Sequence, residues 1–499
     1  MANAGQFFAA LSRRKSIVAD RSAGSAPDSP AALRRVLGFW SLVAIGIGCT
    51  IGAGIFVLPG VVAAQTAGPG ILISFLLAGL ACAIAAFCYA ELAVLIPAAG
   101  SAYSYAYATL GEGVAWLVGW NLLLEYGLSN SAVAAGWGGY VQALLRGMGL
   151  SLPPAWMVAT GQPIPATVYE AAGLAVPLGP TFGWLNLPAA IAVALPTILL
   201  LVGIRASAQF NNGLVAAKIG VLLMFVMLCL PAVQATHFTP FLPFGASGVV
   251  TGAAVLFFLF IGFDAVSTVA EECENPQRDV PRAMMVGLGL VATLYIAVTA
   301  VLLGVVPLNV LKSAQEPLAR ALDLAGHPIA AMLLSCVAVV GVLAVILVAS
   351  IGQTRILFVM ARDGLMPALM GRVSAGRGVP VTATILLGVV TGGLAATVPL
   401  DALADLVSIG TLAAFTAVSL GVLVLRWERP DLPRPFRVPF SPELPLAGIA
   451  VNLWLMSSLP AAVWIRFAVW MALGIAIYLL WGMRGASRRF ETRPPEEVA

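Results

Sequence analysis

The fold of this chain is decided by one glycine-rich stretch, Ala44-Ile45-Gly46-Ile47-Gly48-Cys49-Thr50-Ile51-Gly52-Ala53-Gly54-Ile55-Phe56. The stretch is apolar enough to enter a lipid bilayer, yet four glycines and a threonine stand where a lipid-facing helix favours leucine. This pattern predicts a helix that unwinds in mid-membrane. Unwinding leaves backbone N–H and C=O groups without helical partners, which is tolerated only where protein or a water-filled cavity satisfies them. We therefore expect a binding site at the break.

The composition places the chain among polytopic membrane proteins. Of its 499 residues, 60% are hydrophobic and 10% are charged, and the mean hydropathy of +0.98 is far above that of an ordinary soluble domain. A helix needs about 20 largely apolar residues to cross the hydrocarbon core. Twelve such runs predict an all-α protein with transmembrane helices at residues 38–60, 69–94, 114–145, 184–203, 210–231, 247–272, 282–306, 328–360, 380–398, 401–426, 444–464 and 466–483.

The positive charges predict the orientation of these spans. Most of the 26 Lys and Arg residues fall on one side of the predicted topology, whereas Arg146, Lys312, Arg320 and Arg466 fall opposite and Lys218 lies within a span. Because cytoplasmic loops carry the excess of Lys and Arg, we expect both termini in the cytoplasm and the protein in a bacterial-type cytoplasmic (inner) membrane. The net charge of +4 therefore reflects topology and does not indicate nucleic-acid binding.

The two tails, residues 1–35 and 484–499, have the composition of disordered segments. The basic cluster at residues 12–16 is suited to anionic lipid, but we favour a solvated flank that sets the topology. The six cysteines form neither a CxxC pair nor a disulfide framework, and His237 and His327 stand alone in presumed outer loops. No metal or cofactor is expected.

A second interruption follows five spans after the first. Span 6 contains an aromatic run that is broken by Gly262 and Asp264. Interrupted segments at matching positions in two halves indicate an inverted-repeat transporter, although close helix packing through small residues is the alternative for either segment alone. We expect a five-plus-five inverted repeat, with spans 1–5 in residues 36–231, spans 6–10 in 232–427, and an inner loop with spans 11–12 in 428–483.

Several long, ordered motifs follow along the chain. They are 51–60 (IGAGIFVLPG), 100–107 (GSAYSYAY), 111–112 (GE), 119–126 (GWNLLLEY), 261–268 (IGFDAVST), 271–272 (EE), 275–281 (NPQRDVP), 353–358 (QTRILF) and 362–367 (RDGLMP). On these motifs the chain resembles bacterial members of the amino acid–polyamine–organocation superfamily, in the cationic amino acid transporter branch. The resemblance covers nearly everything from span 1 to span 12 and implies a leucine-transporter-like fold with helices 1 and 6 broken. It does not fix the substrate.

The resemblance implies that backbone groups at the two breaks bind the carboxylate and ammonium that all α-amino acids share. The groups implied are the amides around Gly52, Ala53 and Gly54 for the carboxylate, and the carbonyls of Thr50, Ile51, Phe258 and Ile261 for the ammonium. Backbone dipoles can recognise both groups without a side-chain charge. By position, Glu125 and Ser129 on span 3 lie one helical turn apart and should face the substrate's side chain. Residues near Val348 and Ile351 on span 8 should close the pocket.

Three ionisable residues lie within spans, where an unpaired charge costs about 2.5–3.5 kcal/mol even on a lenient scale, so each is a functional hypothesis. In similar proton-dependent transporters a lysine at the place of Lys218 lies beside the unwound part of span 1, and burial lets such a lysine gain and lose a proton. We expect the Lys218 ammonium to hold span 1 carbonyls; snorkelling to the interface is the alternative. Glu125 attracts a substrate cation or is paired structurally. Asp264 contacts substrate or caps the following half-helix.

Charged and aromatic residues at the inner ends of the spans are expected to lie away from the substrate. Glu271 and Glu272, with Arg278 and Asp279, predict a gate-side or loop salt network, and Glu91 at the end of span 2 predicts a similar one. Glu112 is expected to be interfacial. The tyrosines at positions 103, 105 and 107 are expected to anchor an amphipathic connection at the lipid headgroups.

These features predict a secondary transporter that moves an L-amino acid, small and neutral or cationic, by alternating access coupled to protons. The expected partners are the L-amino acid, protons and membrane lipid. An amino acid/amine exchanger is the alternative. A channel is less favoured because the sequence has no repeated filter or ring of like charges. An intramembrane enzyme is disfavoured because both histidines lie outside the predicted spans.

Overall fold

The regular structure of the computed structural model is helical. It describes residues 11–15, 35–52, 54–147, 150, 152–164, 168–169, 173–177, 179–311, 317–374, 377–398, 400–457 and 461–482. Within these residues the only β pairing consists of two isolated bridges, Leu37 with Cys273 and Pro163 with Phe182. The prediction of an all-α fold is therefore confirmed for the described part of the chain.

Seventeen α-helices follow one another along the described part of the chain. They are α1 (Phe39–Thr50), α2 (Gly54–Val62), α3 (Ile71–Leu95), α4 (Ala102–Thr109), α5 (Glu112–Gly147), α6 (Leu187–Val202), α7 (Ile204–Cys229), α8 (Gly245–Phe257), α9 (Ala265–Thr268), α10 (Pro276–Val305), α11 (Leu308–Leu311), α12 (Pro317–Leu324), α13 (Pro328–Arg362), α14 (Val381–Thr397), α15 (Leu400–Glu428), α16 (Glu443–Ser457) and α17 (Ala461–Ile477). Short 3₁₀ segments at Phe258–Phe260 and Ala270–Glu272 flank α9, and π-helical turns follow α2 at Ala63–Ala67 and α17 at Tyr478–Gly482.

Within the described residues, six helical segments are long and apolar enough to cross a membrane, and α1, α6, α8, α14 and α16 are shorter apolar helices. The six segments are Leu58–Leu95, Arg205–Ala232, Pro276–Val305, Pro328–Arg362, Ile409–Glu428 and Ala461–Gly482. The chain is therefore an integral membrane protein with many spans. Some predicted boundaries are wrong: α7 begins at Ile204 rather than near residue 210, and Arg466, expected between the last two spans, lies exposed inside α17.

Local sequence fixes several helix starts. Pro276 and Pro328 open α10 and α13, where the missing N–H of proline has no helical partner to lose. Asn186 caps α6, because its Oδ1 accepts a hydrogen bond from the Ala189 amide at 3.1 Å.

Two long helices position the broken region. The helix α13 packs against α5, α7 and α1, and α10 packs against α3, α1 and α7. Much of α13 is buried from Ala344 to Ala361, so this helix lies in the middle of the bundle. The interrupted helices are thus surrounded by protein, which is the environment that freed backbone groups in a membrane require.

Candidate functional site

The glycine-rich stretch interrupts a helix. The Ile51 amide still donates to the Ile47 carbonyl at 2.8 Å, but the Gly52 amide donates to the Thr50 carbonyl at 2.9 Å and leaves the helical pattern. The next helix, α2, begins at Gly54, so its first amides point into the break. Of the three amides expected to bind a carboxylate, that of Gly52 is already bonded to the Thr50 carbonyl, and that of Gly54 lies at the first residue of α2. Ala53 lies outside the described residues.

The second interruption lies beside the first. After α8 the chain passes through a 3₁₀ segment, Phe258–Phe260, and then Gly262 adopts φ +120°, a conformation that side-chain-bearing residues rarely adopt. A Cβ on Gly262 would lie 3.0 Å from backbone and side-chain atoms of Cys49, on the last turn of α1. Glycine is therefore required for the two breaks to touch. Of the residues predicted through their carbonyls, Phe258 opens this 3₁₀ segment and Ile261 follows it directly.

Lys218 reaches the first break from α7. Its Nζ donates to the Ile51 carbonyl at 2.6 Å and to the Gly48 carbonyl at 3.2 Å, and its side chain has no solvent exposure. Gly341 on α13 leaves room for the lysine stem, since a Cβ there would lie 3.1 Å from two of its carbons. Lys218 therefore does not snorkel to the interface. Its ammonium lies against the carbonyls at the end of α1.

Tyr295, which sequence reasoning missed, connects the two breaks. Its hydroxyl lies 2.9 Å from the Thr50 carbonyl and 3.4 Å from the Leu259 carbonyl, and the side chain is fully buried on α10. One hydroxyl proton thus stabilises carbonyl groups of both broken helices. The only sequence clue was a tyrosine inside an otherwise apolar span.

Asp264 follows the second break and faces α5. Its Oδ2 accepts a hydrogen bond from the Tyr126 hydroxyl at 2.8 Å, and its side chain caps none of the α9 amides. The capping alternative is therefore wrong. The backbone carbonyl of Asp264 accepts bonds from the amide and hydroxyl of Ser267, at 2.8 and 2.6 Å, which close this tight turn.

Glu125 is buried on α5, next to Tyr126 in sequence. Its carboxylate contacts the Thr411 hydroxyl on α15 and lies within electrostatic range of Asp264, but its Oε2 has no hydrogen-bond partner among the described residues. Ser129 lies one turn further along α5 and is half-buried. Glu125 and Asp264 are thus brought together, and neither makes an ion pair with Lys218.

Residues on α13 line the same region opposite α5. Val348 and Ile351 are buried there, each with 1% exposure. Asn130 donates to the Ser350 hydroxyl at 3.2 Å, and Gln353 donates to the Leu123 carbonyl at 3.0 Å, so polar bonds join α13 to α5 around the site.

Beyond Asp264, ion pairs close the end of the bundle that carries most arginines. Arg355 Nε lies 2.5 Å from Glu272, with both side chains fully buried, and Arg362 makes two bonds of 2.6 and 2.8 Å to Glu271. The predicted salt network exists, but its cations come from α13. The expected partners Arg278 and Asp279 pair with each other at 4.0 Å, and Arg278 is largely exposed.

Two further carboxylates at this end differ in how well they were predicted. Glu91 accepts bonds of 3.0 and 2.5 Å from Arg426 and lies 3.3 Å from Arg434, as the expected salt network requires. Glu112 is fully buried rather than interfacial: it accepts bonds from the hydroxyls of Tyr107 at 2.9 Å and Tyr478 at 2.7 Å. The prediction of an interfacial Glu112 was wrong because one of its two partners, Tyr478, lies 366 residues away in sequence, and the nearby Tyr107 alone does not indicate burial.

The basic cluster near the N terminus is bound to the protein. Residues 11–15, the N-terminal strap, lie against the start of α5, where Lys15 pairs with Asp363 at 2.7 Å and the Arg13 carbonyl accepts the Glu112 amide at 2.8 Å. Arg14 pairs with Glu428, and this hydrogen bond lowers the pKa of the Glu428 carboxyl. The predictions of a disordered tail and a solvated flank are therefore wrong for this segment.

The tyrosines of α4 lie inside the protein and not at the lipid headgroups. Tyr103, Tyr105 and Tyr107 are all buried, and the Tyr103 hydroxyl donates to Asp363 at 2.8 Å. The helix α4 leaves none of these three tyrosines exposed, because α5 and α15 pack against it and the strap contacts Tyr107. The headgroup prediction was wrong for this reason.

Comparison with known proteins decides the family. The model of the amino acid permease family matches residues 37–483. This chain belongs to the amino acid permease family. The permease is 42% identical over 460 residues to the methylthioribose transporter of Bacillus subtilis (strain 168), covering 92% of the permease and 96% of that relative. It is also 42% identical over 471 residues to the branched-chain amino acid permease BcaP of the same strain, covering 94% and 97% of the two chains.

A plant relative extends the comparison. The permease is 39% identical over 410 residues to the vacuolar cationic amino acid transporter 4 of Arabidopsis thaliana, covering 81% of the permease and 65% of that relative. The resemblance to the amino acid–polyamine–organocation superfamily is thus confirmed. The permease is a transporter rather than an enzyme, and its family and relatives support amino acid transport.

Proposed function

We propose that the permease is a twelve-span secondary transporter that moves L-amino acids by alternating access. Spans 1–5 and 6–10 form the two inverted repeats, both termini lie in the cytoplasm, and the membrane is the bacterial inner membrane. Two observations support this arrangement: helices occupy all twelve apolar runs predicted from the sequence, and the interruptions fall after Thr50 and Phe257, in spans 1 and 6. Discontinuous helices at these places are suited to a small zwitterion.

The substrate's shared groups are assigned to the two breaks. The carboxylate binds the amides that open α2 from Gly54 onward, together with the Ala53 amide, because the N-terminus of a helix attracts anions. The Gly52 amide contributes when its bond to the Thr50 carbonyl opens. The ammonium binds carbonyls of the breaks, with Ile261 and Phe258 as the candidates that neither Lys218 nor Tyr295 contacts.

The observation that carries proton coupling is the position of Lys218. Its ammonium lies 2.6 Å from the Ile51 carbonyl and 3.2 Å from the Gly48 carbonyl, so it supplies the positive charge that the unwound end of α1 requires. A neutral amine loses the attraction of a full charge for two carbonyl dipoles. Loss of the proton therefore loosens the end of α1, which links protonation to the shape of the site.

Purified protein in liposomes tests this proposal. Uptake of each of the twenty amino acids is measured under imposed proton and sodium gradients. We expect uptake of a small neutral or cationic amino acid driven by the proton gradient, and we expect Lys218→Ala to abolish the pH dependence. Arg320→Ala, which changes an exposed cation on α12, serves as the control and should leave transport unchanged. Full uptake and an unaltered pH response in Lys218→Ala would remove the assigned role.

The same liposomes distinguish two other substrate classes. Counterflow that requires an amino acid or amine inside the liposome would favour an exchanger. Methylthioribose belongs in the screen because a relative that is 42% identical is named for its transport. Uptake of methylthioribose with no amino acid transported would refute the zwitterion site.

A further inference from the structure

Among the described residues, the broken region holds more buried carboxyl groups than buried amino groups. Among its described residues, Glu125 and Asp264 contribute two buried carboxylates and Lys218 contributes one buried ammonium. Lys218 is directed at the carbonyls of Gly48 and Ile51 and pairs with neither carboxylate. One uncompensated negative charge in a buried site is strongly unfavourable. The site is therefore expected to hold one further positive charge.

The unsatisfied atoms around Glu125 are acceptors. Glu125 Oε2 has no partner among the described residues, and neither has Oδ1 of Asn121, one turn earlier on α5. The Asn121 amide nitrogen already donates to the Gly410 carbonyl at 2.7 Å, which fixes the orientation of its oxygen. Two buried oxygens without donors form a place for a group that donates hydrogen bonds, such as an ammonium or a proton.

The groups around the two carboxylates do not supply that charge. Asp264 is faced by neutral groups, which are the hydroxyls of Tyr126, Tyr89 and Tyr105 and the thiols of Cys49 and Cys82. Glu125 is faced by the Thr411 hydroxyl on α15 and by Tyr126, Tyr89, Cys49 and Asp264. The positive charge must therefore come from a mobile species.

We propose that Glu125 binds one exchangeable positive charge, which is either the cationic side chain of the substrate or a proton. The inference rests on the proposed amino acid transport. A neutral amino acid binds with the proton on the Glu125 carboxyl, and this proton crosses with it. When a cationic amino acid binds, the proton leaves the Glu125 carboxyl and returns to the solution on the side of the membrane from which the substrate came. A neutral substrate therefore carries one proton more than a cationic substrate.

The proposal predicts how transported charge and proton count compare between a neutral and a cationic substrate. A zwitterion with one extra proton and a cationic amino acid without it carry the same net charge across the membrane. Any proton that moves through Lys218 is common to both substrates and cancels in the comparison. The transported charge per molecule should thus be equal for alanine and lysine, whereas the proton count should differ by one.

The experiment measures both quantities on the same liposomes. Radiolabelled alanine or lysine uptake is recorded together with a pH-sensitive dye inside the liposome and with the membrane current. We expect one proton more per alanine than per lysine, and equal charge per molecule. Equal proton counts for the two substrates would overturn the inference while leaving amino acid transport intact. Absence of any amino acid uptake would instead overturn the proposed function on which it rests.

Variants of Glu125 separate its titration from a structural role. In Glu125→Gln the alanine proton count should fall by one and lysine uptake should fall by about tenfold or more. Glu125→Asp keeps a carboxylate and should keep the extra proton. Glu443→Gln removes an exposed carboxylate at the start of α16 and should change neither count. An unchanged alanine proton count in folded Glu125→Gln would overturn the inference, even if lysine is not transported.

Equilibrium binding gives an independent check in detergent. Lysine should compete with the proton on Glu125, so lysine affinity should fall by up to about tenfold per pH unit on acidification. Alanine affinity should not show this additional decrease. In Glu125→Gln the two substrates should respond alike to pH. A wild-type protein in which they already respond alike would refute competition at this site.

Discussion

Replacing Glu272 with glutamine leaves the Arg355 guanidinium buried without its counter-ion. Both side chains are fully buried, and one bond of 2.5 Å joins them, while Glu272 Oε2 and both Nη atoms of Arg355 have no partner among the described residues. Removing one member of a buried pair destabilises by about 3–5 kcal/mol, and the single bond places this pair at the lower end. Each 1.36 kcal/mol changes an equilibrium ratio tenfold. The ratio of closed molecules to open molecules, in which Arg355 reaches water, should therefore fall about a hundredfold.

Cys273 reports this change. It follows Glu272 directly and is fully buried, so it reacts with a maleimide only when this end of the bundle opens. The half-buried Cys49 and Cys336 are first replaced with alanine, and labelling of Cys273 is followed by mass spectrometry of the purified protein. We expect Cys273 in the Glu272→Gln variant to react with maleimide up to about a hundredfold faster than Cys273 in the protein that lacks only Cys49 and Cys336.

Two further variants decide the interpretation. Glu274→Gln removes an exposed carboxylate two residues away and should label at the parental rate. The double variant Glu272→Met with Arg355→Met replaces the pair with apolar side chains and should restore slow labelling, because buried pairs exchange for apolar groups at little cost. Parental labelling in a folded Glu272→Gln protein would refute the idea that this pair keeps the end closed.

Other contacts give further predictions. Tyr295→Phe removes a donor to the Thr50 carbonyl, worth about 0.5–1.5 kcal/mol, and should lower uptake by up to about tenfold, whereas unchanged kinetics would exclude a role in the breaks. Lys15→Met leaves Asp363 buried without its cation and should lower the unfolding temperature of the detergent-purified protein; an unchanged temperature would contradict this. The Arg14 bond lowers the pKa of Glu428, so protection of the strap from pepsin should weaken as the pH falls below the ordinary glutamate range and be lost below the lowered pKa; Glu428→Gln should remove this pH dependence.

Features that depend on neighbours in sequence were predictable. Hydropathy located the helical segments, and the glycines around Thr50 and the Gly262–Asp264 pair marked both interruptions, because a break requires residues that tolerate unusual backbone angles. The position of Lys218 opposite the first break followed from the resemblance and from its placement within an apolar span. The geometry now supplies the carbonyl atoms that it contacts.

Features that depend on tertiary packing were not predictable. Tyr295 lies 245 residues from Thr50, and no pattern in its own span identifies its bond partner. Similarly, the cations that pair with Glu271 and Glu272 come from α13, over 80 residues away, rather than from the nearby Arg278. A buried polar group requires some partner, but the sequence alone does not say which element brings that partner.

Glu112 contacts one residue that is synthesised before it and another that is synthesised much later. Its carboxylate accepts a hydrogen bond from Tyr478, which the ribosome adds 366 residues later, and it lies 3.7 Å from Arg13, which is made before it. Until translation reaches Tyr478, Oε1 of Glu112 lacks this hydrogen-bond donor. A chain whose synthesis ends before Tyr478 therefore lacks this hydrogen bond at the start of α5. The unsatisfied carboxylate is a structural difference by which quality-control proteases can recognise an unfinished protein.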